Sequence, residues 1–347
     1  MHSQERKRTY INMLRGFAIF LMLWGHSIQY SCGGQFDFFE NIIFKLIYSF
    51  HMPLFMLISG YLFWFSEQKR GLVELIGYKG KSFLYPILMC SVLNLLLTTG
   101  IVSTLRGEYS ALLGGIPITS LWFLWSVLAC SVALAFAMKL SKNHLIQTAL
   151  LIIGVPFVAL FPNWTMNVYM YPYLIIGYLY ARYEGRMRKV RNVGGFISTI
   201  VFIFMMFFFE KKHYIYISGL LGGETIMESL QIDFFRWSIG LLGSIAVAWI
   251  CWLLSSVHKR GKITIIIENI GQDSLAVYAL STSLLSYWLP IIAGKILSVL
   301  AWINWNNYIW IYNLFITPIV AAGYSMLLLL IIKGLKRTNA YGLIFGR

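Results

Sequence analysis

The sequence predicts an all-α integral membrane protein with about ten transmembrane helices, and three observations support this fold class. Hydrophobic residues make up 59% of the 347 residues and charged residues only 12%, with a mean hydropathy of +0.71. A soluble protein of this size could not bury so much apolar surface. Apolar segments of about 16 to 25 residues recur along the chain, close to the length of a bilayer-spanning helix. The basic residues cluster in alternate connections between these segments.

The ten predicted spans follow one another from residue 10 to residue 332. They lie near residues 10–30, 42–65, 83–101, 121–138, 145–161, 168–182, 193–209, 235–256, 275–293 and 308–332. The first segment is expected to be a retained span and not a signal peptide, because no small-residue cleavage site follows it. Residues 1–347 are expected to form a single membrane domain with no appended soluble domain.

The distribution of lysine and arginine predicts that both termini are cytoplasmic. If the N-terminus is inside, the inner connections and ends hold 22 of the 28 Lys and Arg residues, and the outer connections hold six. Short cytoplasmic loops are enriched in Lys and Arg, so this asymmetry supports ten spans. The net charge of +15 is therefore interpreted as a topology signal and not as a nucleic-acid-binding surface.

The longest outer connection, near residues 210–234, has two open interpretations. It contains the acidic residues Glu210, Glu224, Glu228 and Asp233. It could form a partial lid on the outer face, or it could be an ordinary solvated loop.

The cysteines and the common sequence motifs indicate neither a metal nor a bound cofactor. Cys32, Cys90, Cys130 and Cys251 are scattered, without a CxxC pair or the spacing of zinc ligands. No Walker loop, Rossmann glycine pattern, HExxH or GxSxG occurs. An ATP-driven pump, a dehydrogenase and a zinc protease are therefore unsupported.

The first span contains two polar side chains, Arg15 and His26, on one helix face. Eleven positions are about three turns, so the two residues lie roughly 16 Å apart along the axis. A charged group at mid-membrane depth costs about 2.5–3.5 kcal/mol on an insertion scale. The pair predicts the wall of a polar cavity, with His26 as general base and Arg15 as an anion contact or orienting group. The alternative is a snorkelling arginine and a histidine satisfied by a neighbouring helix.

The second span adds two further candidates, His51 and Ser59. His51 could titrate or bond to His26, or it could cap the backbone that Pro53 frees. Ser59 precedes Gly60 in the inner half of the span, where small residues permit close helix approach.

Three more candidates lie at predicted membrane edges. Lys79 and Lys81, at the inner edge before the third span, could contact a phosphate-bearing donor, although the positive-inside rule alone also places lysines there. Trp122 opens the fourth span, where an aromatic belt at the outer interface is the default explanation.

Taken together, these segments resemble the acyltransferase-3 family of integral membrane O-acyltransferases. Arg15 and His26 match its first-helix arginine and histidine, and FHMPLFMLISGYLF (residues 50–63) resembles its second-helix signature. LWFL (121–124) resembles its fourth-helix opening, and IGQDSLAVY (270–278) its penultimate-helix segment. Two departures concern the donor site. Lys79 and Ser82 occupy the positions of an arginine pair, and Ser281 stands where a histidine is frequent.

The resemblance implies transfer of an acyl group, usually acetyl from cytoplasmic acetyl-CoA, to a hydroxyl of a cell-surface or lipid-linked polysaccharide. His26 would be the base or a transient acyl carrier, and Arg15 would contact the donor or the transition state. The candidates for donor or substrate contacts are His51, Ser59, Lys79, Lys81 and Trp122. Acyl-CoA, a glycan or lipid-linked sugar acceptor and membrane lipids are the expected partners, in the bacterial cytoplasmic membrane.

A transporter or flippase for a glycan or small solute is the rival function. It would use the same polar cavity without any acyl-transfer chemistry. No inverted internal repeat is evident in the sequence, which disfavours the common transporter folds.

Overall fold

The computed structural model describes residues 2–32, 35–97, 121–255, 261–282, 303–338 and 340–346, and these ranges contain helices and no β-strand. The main helices are α1 (His2–Ser31), α2 (Ile42–Glu67), α3 (Leu72–Leu97), α4 (Trp122–Lys139), α5 (His144–Ala159), α6 (Trp164–Arg182), α7 (Arg191–Met206), α8 (Ile226–Ser255), α9 (Lys262–Gln272), α10 (Thr317–Lys336) and α11 (Ala340–Phe345). Residues 274–282 are also helical and follow α9 directly. A π-helical turn, Tyr312–Ile316, precedes α10.

Five of the described helices are long and apolar enough to cross a membrane. They are Glu5–Ser31, Ile42–Glu67, Trp122–Lys139, Ile226–Ser255 and Ile309–Lys336. These helices coincide with the first, second, fourth, eighth and tenth predicted spans. Helices α5 and α7 are apolar but have only 16 residues each. The prediction of an all-helical membrane protein is confirmed, while the number of ten spans and the cytoplasmic termini stay predictions.

Two predicted spans extend beyond the described residues by more than one residue. The third, 83–101, coincides with α3 up to Leu97, and the ninth, 275–293, coincides with the helix 274–282. The remainder of each lies outside the described ranges. The fifth, sixth and seventh predicted spans coincide with α5, α6 and α7.

The predicted start of the eighth span was wrong, because α8 begins at Ile226 and not near residue 235. The Thr225 hydroxyl accepts a hydrogen bond from the backbone N–H of Glu228, as expected at a helix start. Hydropathy missed this first part of the helix because of its charged residues. Asp233 and Arg236 are both buried and form an ion pair of 2.7 Å, so the helix accommodates them without solvent.

Ion pairs show which connections lie at the same end of the bundle. Lys7 Nζ lies 2.7 Å from Glu184, which follows α6. Lys211 Nζ, after α7, lies 2.6 Å from Asp37, between α1 and α2. Both pairs agree with the alternation of sides that the sequence predicts. Since exposed ion pairs contribute little free energy, they report proximity and not the origin of stability.

Glycines allow two helix pairs to pack backbone against backbone. A Cβ atom on Gly16 of α1 would lie 1.9 Å from the Ile267 carbonyl oxygen of α9. A Cβ atom on Gly60 of α2 would lie 2.0 Å from the Leu174 carbonyl oxygen of α6. Small residues permit this approach in membrane helices. These contacts fix the depth and rotation of α1 and α2, which carry most of the candidate residues.

Candidate active site

Two cavities lie between the helices, and they divide the predicted site residues between them. The first has a volume of about 380 Å³, and its lining includes the predicted residues His26, His51 and Trp122. The second has a volume of about 200 Å³, and its lining includes Arg15, Ser59 and Lys79. The structure therefore brings Arg15 and His26 to one helix face but into different cavities.

His26 is held in the first cavity by two polar neighbours. Its Nδ1 atom lies 3.1 Å from Gln29 Oε1 and 3.2 Å from the Tyr48 hydroxyl. An amide oxygen only accepts hydrogen bonds, so the Gln29 contact places the proton on Nδ1. The Tyr30 ring stacks on the imidazole at a centroid distance of 5.7 Å. Nε2 is then the unprotonated nitrogen, and no protein atom of the described residues bonds to it.

His51 lies near His26 but does not bond to it. Its Nδ1–H donates to the Ile47 carbonyl oxygen at 2.9 Å, which is a backbone contact within α2. The Tyr48 ring packs edge-on against His51 at 4.7 Å, so Tyr48 contacts both histidines. His51 is only 2% exposed, yet it lines the first cavity. Because Nδ1 carries the proton that is donated to Ile47, Nε2 of the neutral ring carries none.

The first cavity is aromatic and lacks carboxylates in its described lining. Its aromatic lining residues include Tyr30, Phe38, Phe44, Tyr48, Trp122, Tyr169, Phe209, Tyr214, Tyr216 and Tyr278. Arg236 is the one Lys or Arg among the described lining residues, and its charge is paired with Asp233. Such a cavity, with a few polar groups among rings, is typical of a binding site for an organic ligand.

The outer connection covers part of the first cavity, which supports the lid interpretation over a freely solvated loop. We call the segment 209–219 the outer cover; its residues Phe209, His213, Tyr214, Ile215 and Tyr216 line the cavity. Arg236 anchors it through hydrogen bonds to the carbonyl oxygens of Gly219 (2.9 Å) and Lys212 (3.0 Å) and to the Ser218 hydroxyl. Four acceptors, including Asp233, thus hold one buried guanidinium.

The neutral side chain of His213 holds the start of the outer cover in place. Its Nδ1 accepts a hydrogen bond from the Glu210 backbone N–H at 2.8 Å, and its ring packs on Phe235 at 4.3 Å. Burial lowers the pKa of His213 from its ordinary 6.5 to about 4. At neutral pH this histidine is therefore an acceptor and carries no charge.

The second cavity is basic. Lys79 is 7% exposed, and its ammonium lies among the rings of Phe63, Tyr78 and Phe83 at 5.1, 5.9 and 5.9 Å. No carboxylate of the described residues pairs with Lys79, and none lines this cavity. A buried ammonium without a counterion is costly. Together with Arg15, it makes the cavity suited to an anionic ligand.

The remaining predicted residues differ in position. The Ser59 hydroxyl lines the second cavity but donates to the Phe55 carbonyl oxygen at 2.8 Å within α2. Lys81 is exposed and is absent from the described lining of both cavities. Its backbone and side chain face Gly346 after α11 instead. Ser281, at the position where the resemblance leads one to expect a histidine, lines the first cavity.

Sequence reasoning missed the two residues that orient His26. Gln29 lies three positions after His26, and such pairs share a helix face, so the spacing could have identified it. Tyr48 comes from another helix, and its contact with His26 depends on how α1 and α2 pack. Among the described residues, Tyr278 lines both cavities. Sequence reasoning did not identify it as a site residue either.

The fold and the two cavities define a multi-pass helical membrane protein with a histidine site next to a basic site. In the described residues, no three His, Cys, Asp or Glu side chains are grouped to hold a metal ion. Comparison with known proteins assigns the class further. The acyltransferase domain family, acyltransferase-3, matches residues 8–338. The chain belongs to this family and is an O-acyltransferase.

Two curated relatives are rhizobial proteins. The nodulation protein NolL of Mesorhizobium japonicum is 25% identical over 276 residues, which cover 76% of this chain and 73% of that protein. The nodulation protein NolL of Sinorhizobium fredii is 30% identical over 184 residues, which cover 49% of this chain and 48% of that protein. No solved structure matches the chain.

Proposed function

We propose that the chain is a membrane O-acetyltransferase that moves an acetyl group from cytoplasmic acetyl-CoA to a hydroxyl of a cell-surface or lipid-linked polysaccharide. The observation that carries this proposal is the separation of two chemistries in adjoining cavities. His26 lies in one cavity and the unpaired charge of Lys79 in the other. Acyl transfer between an anionic donor and a neutral hydroxyl requires both.

The basic cavity is the proposed donor site. Lys79 and Arg15 would contact phosphate oxygens of acetyl-CoA, since charge-assisted hydrogen bonds to phosphate are strong. Arg15 adds the planar fork that matches two oxygens at once. The thioester end of the donor would then point toward Tyr278 and the first cavity.

The aromatic cavity is the proposed acceptor site, with His26 as general base. Nε2 of His26 takes the proton of the acceptor hydroxyl as its oxygen attacks the thioester carbon. The new C–O bond forms, the C–S bond breaks, and the proton passes to the leaving thiolate. Gln29 and Tyr48 keep Nδ1 engaged, which stabilises the imidazolium that forms during this step.

The membrane arrangement belongs to the proposal as well. We place the second cavity toward the cytoplasm, with ten spans and both termini inside, in a bacterial cytoplasmic membrane. The distribution of Lys and Arg supports this orientation, and the two curated relatives come from bacteria. The acceptor would then enter the first cavity from the opposite side.

The decisive experiment uses purified protein, labelled acetyl-CoA and a crude extract of the host's surface glycan. Label should move into glycan with the wild type and not with His26→Ala. A well-folded wild type that releases no CoA with any donor would contradict the proposal and favour a transporter. Equal transfer by both proteins would retain the acyltransferase and remove His26 as the base.

A further inference from the structure

Tyr278 separates the two cavities. It is the one described residue that lines both of them. On the same helix, Ser281 and Thr282 line the first cavity, whereas Ser274 and Leu275 line the second. Tyr278 is 7% exposed, so it is a buried residue at the border of both cavities.

Phe123 and Phe55 extend this separation to two other helices. The Phe123 ring lies 5.7 Å from that of Tyr278, at an interplanar angle of 67°. It also lies 5.7 Å from the Phe55 ring, at 59°. None of these three rings is more than 9% exposed. We call Phe55, Phe123 and Tyr278 the aromatic partition.

The helices that contribute residues to both cavities change sides at the level of this partition. On α4, Trp122 lines the first cavity and its neighbour Phe123 lines the second. On α2, the change occurs between Pro53 and Phe55. About three turns of α1 separate Arg15 from His26, since eleven residues span roughly 16 Å. An acyl group bound on the basic side therefore has to pass the aromatic partition to reach the histidine side.

We propose that the aromatic partition is a gate that keeps water of the first cavity away from the donor thioester until an acceptor hydroxyl is bound. This inference rests on the proposed acetyltransferase function. Tyr278 is then a positioning residue whose ring closes the passage. Closed sites exclude water partly to prevent hydrolysis of reactive groups. A thioester exposed to a wet cavity that contains a histidine base would be hydrolysed.

The side reaction that the partition suppresses can be written in full. A water oxygen attacks the thioester carbon and loses a proton to His26. The C–O bond forms, the C–S bond breaks, and the thiolate sulfur of CoA takes the proton. The products are free acetic acid and the CoA thiol. This reaction needs no acceptor, so it can be measured with acetyl-CoA alone.

The test compares the release of free CoA thiol from acetyl-CoA, without any acceptor, by purified wild type and variants. Tyr278→Ala should raise this release at least about tenfold, because it opens the partition to water. Tyr278→Phe keeps the ring and should stay near the wild-type rate. Tyr324→Ala is the matched control, because Tyr324 lines neither cavity in the described linings. Adding His26→Ala to Tyr278→Ala should return the release to the wild-type level.

Acetyl-CoA binding, measured by calorimetry on the same samples, separates the two proposals. If the wild type does not bind acetyl-CoA, the acetyltransferase proposal fails. If wild type and Tyr278→Ala bind it equally but release thiol at the same rate, the gate alone is refuted. Should Tyr278→Ala fail to fold, Phe123→Leu replaces it, since leucine keeps an apolar side chain and removes the ring. Raised release by Tyr278→Phe would also overturn a gate formed by the ring.

Discussion

The Tyr48 hydroxyl lies 3.2 Å from Nδ1 of His26, and this contact links the second helix to the proposed base. Tyr48→Phe keeps the ring that stacks on Phe44 at 3.9 Å and removes only the hydroxyl. We expect kcat to fall about 3- to 10-fold, since one hydrogen bond contributes about 1 kcal/mol. The KM for acetyl-CoA should not change, because Tyr48 is absent from the described lining of the donor cavity. Steady-state kinetics at two acceptor concentrations would measure both.

Gln29→Glu tests the other contact of His26 Nδ1, by strengthening it and not by removing it. A carboxylate next to Nδ1 would favour the charged imidazolium, so His26 would remain protonated to higher pH. The acidic limb of the pH–rate profile should move to higher pH. A purely structural role of Gln29 would lower the rate equally at all pH values.

His26→Ala tests the base itself. General bases contribute about 10²- to 10⁴-fold, so transfer should fall at least a hundredfold. Membrane insertion and thermal stability should stay close to the wild type, because His26 and its partners Gln29 and Tyr48 all line a cavity, where water can replace the lost contacts. A variant that unfolds at a much lower temperature would instead assign His26 a structural role.

Lys79→Met should change donor binding and stability in opposite directions. It removes a buried charge that has no counterion among the described residues, so the donor-free protein should unfold at a higher temperature. Acetyl-CoA binding should weaken about tenfold or more, because a charged hydrogen bond is lost. Arg15→Lys should also weaken binding, since lysine lacks the planar fork.

Lys81→Met is the control for this prediction. It also tests whether Lys81 contacts the donor, as the sequence predicts, or lies outside the donor site, as its position in the structure indicates. The sequence predicts both Lys79 and Lys81 as possible donor contacts, but Lys81 is exposed and outside the described cavity linings. We expect no change in acetyl-CoA affinity for Lys81→Met. An effect as large as that of Lys79→Met would support the expectation from sequence.

Gly60→Ala tests the backbone contact that positions α2. Its Cβ would lie 2.0 Å from the Leu174 carbonyl oxygen, so the helices must separate. Overpacking of this kind costs about 1–3 kcal/mol. Gly77→Ala in α3 is the matched control, because a Cβ there meets no atom within 4 Å. It should be neutral or stabilising by up to about 1 kcal/mol, as for glycine within a helix.

Much of the fold was predictable because apolar length and charge distribution determine where membrane helices form. The first, second and fourth spans were placed to within a few residues, apart from the polar first turns of α1. The start of α8 was missed because its charges are paired inside the protein, as Asp233 and Arg236 show. A hydropathy average treats both charged residues as exposed to solvent, and it therefore assigns this part of the helix to a loop.

The parts of the candidate site that could be predicted are those in which the residues lie on one helix. The common face of Arg15 and His26 follows from helical periodicity. The assignment of these two residues to different cavities depends on how α1 packs with distant parts of the chain, among them Tyr278, which lines both cavities. Similarly, Lys79 and Lys81 are two positions apart, but helix rotation buries one and exposes the other.

The outer cover should make stability depend on pH through His213. Its folded-state pKa of about 4 lies below the ordinary 6.5, so between these values the unfolded chain binds a proton that the folded protein does not. The contribution of His213 is therefore complete above about pH 6.5 and is lost as the pH falls toward 4. His213→Asn retains an acceptor for the Glu210 N–H and cannot titrate in this range. Unfolding temperatures followed by tryptophan fluorescence should therefore fall less steeply between pH 6.5 and 4 for His213→Asn. Because His26 and His51 are present in both proteins, parallel curves would show that His213 does not carry this dependence.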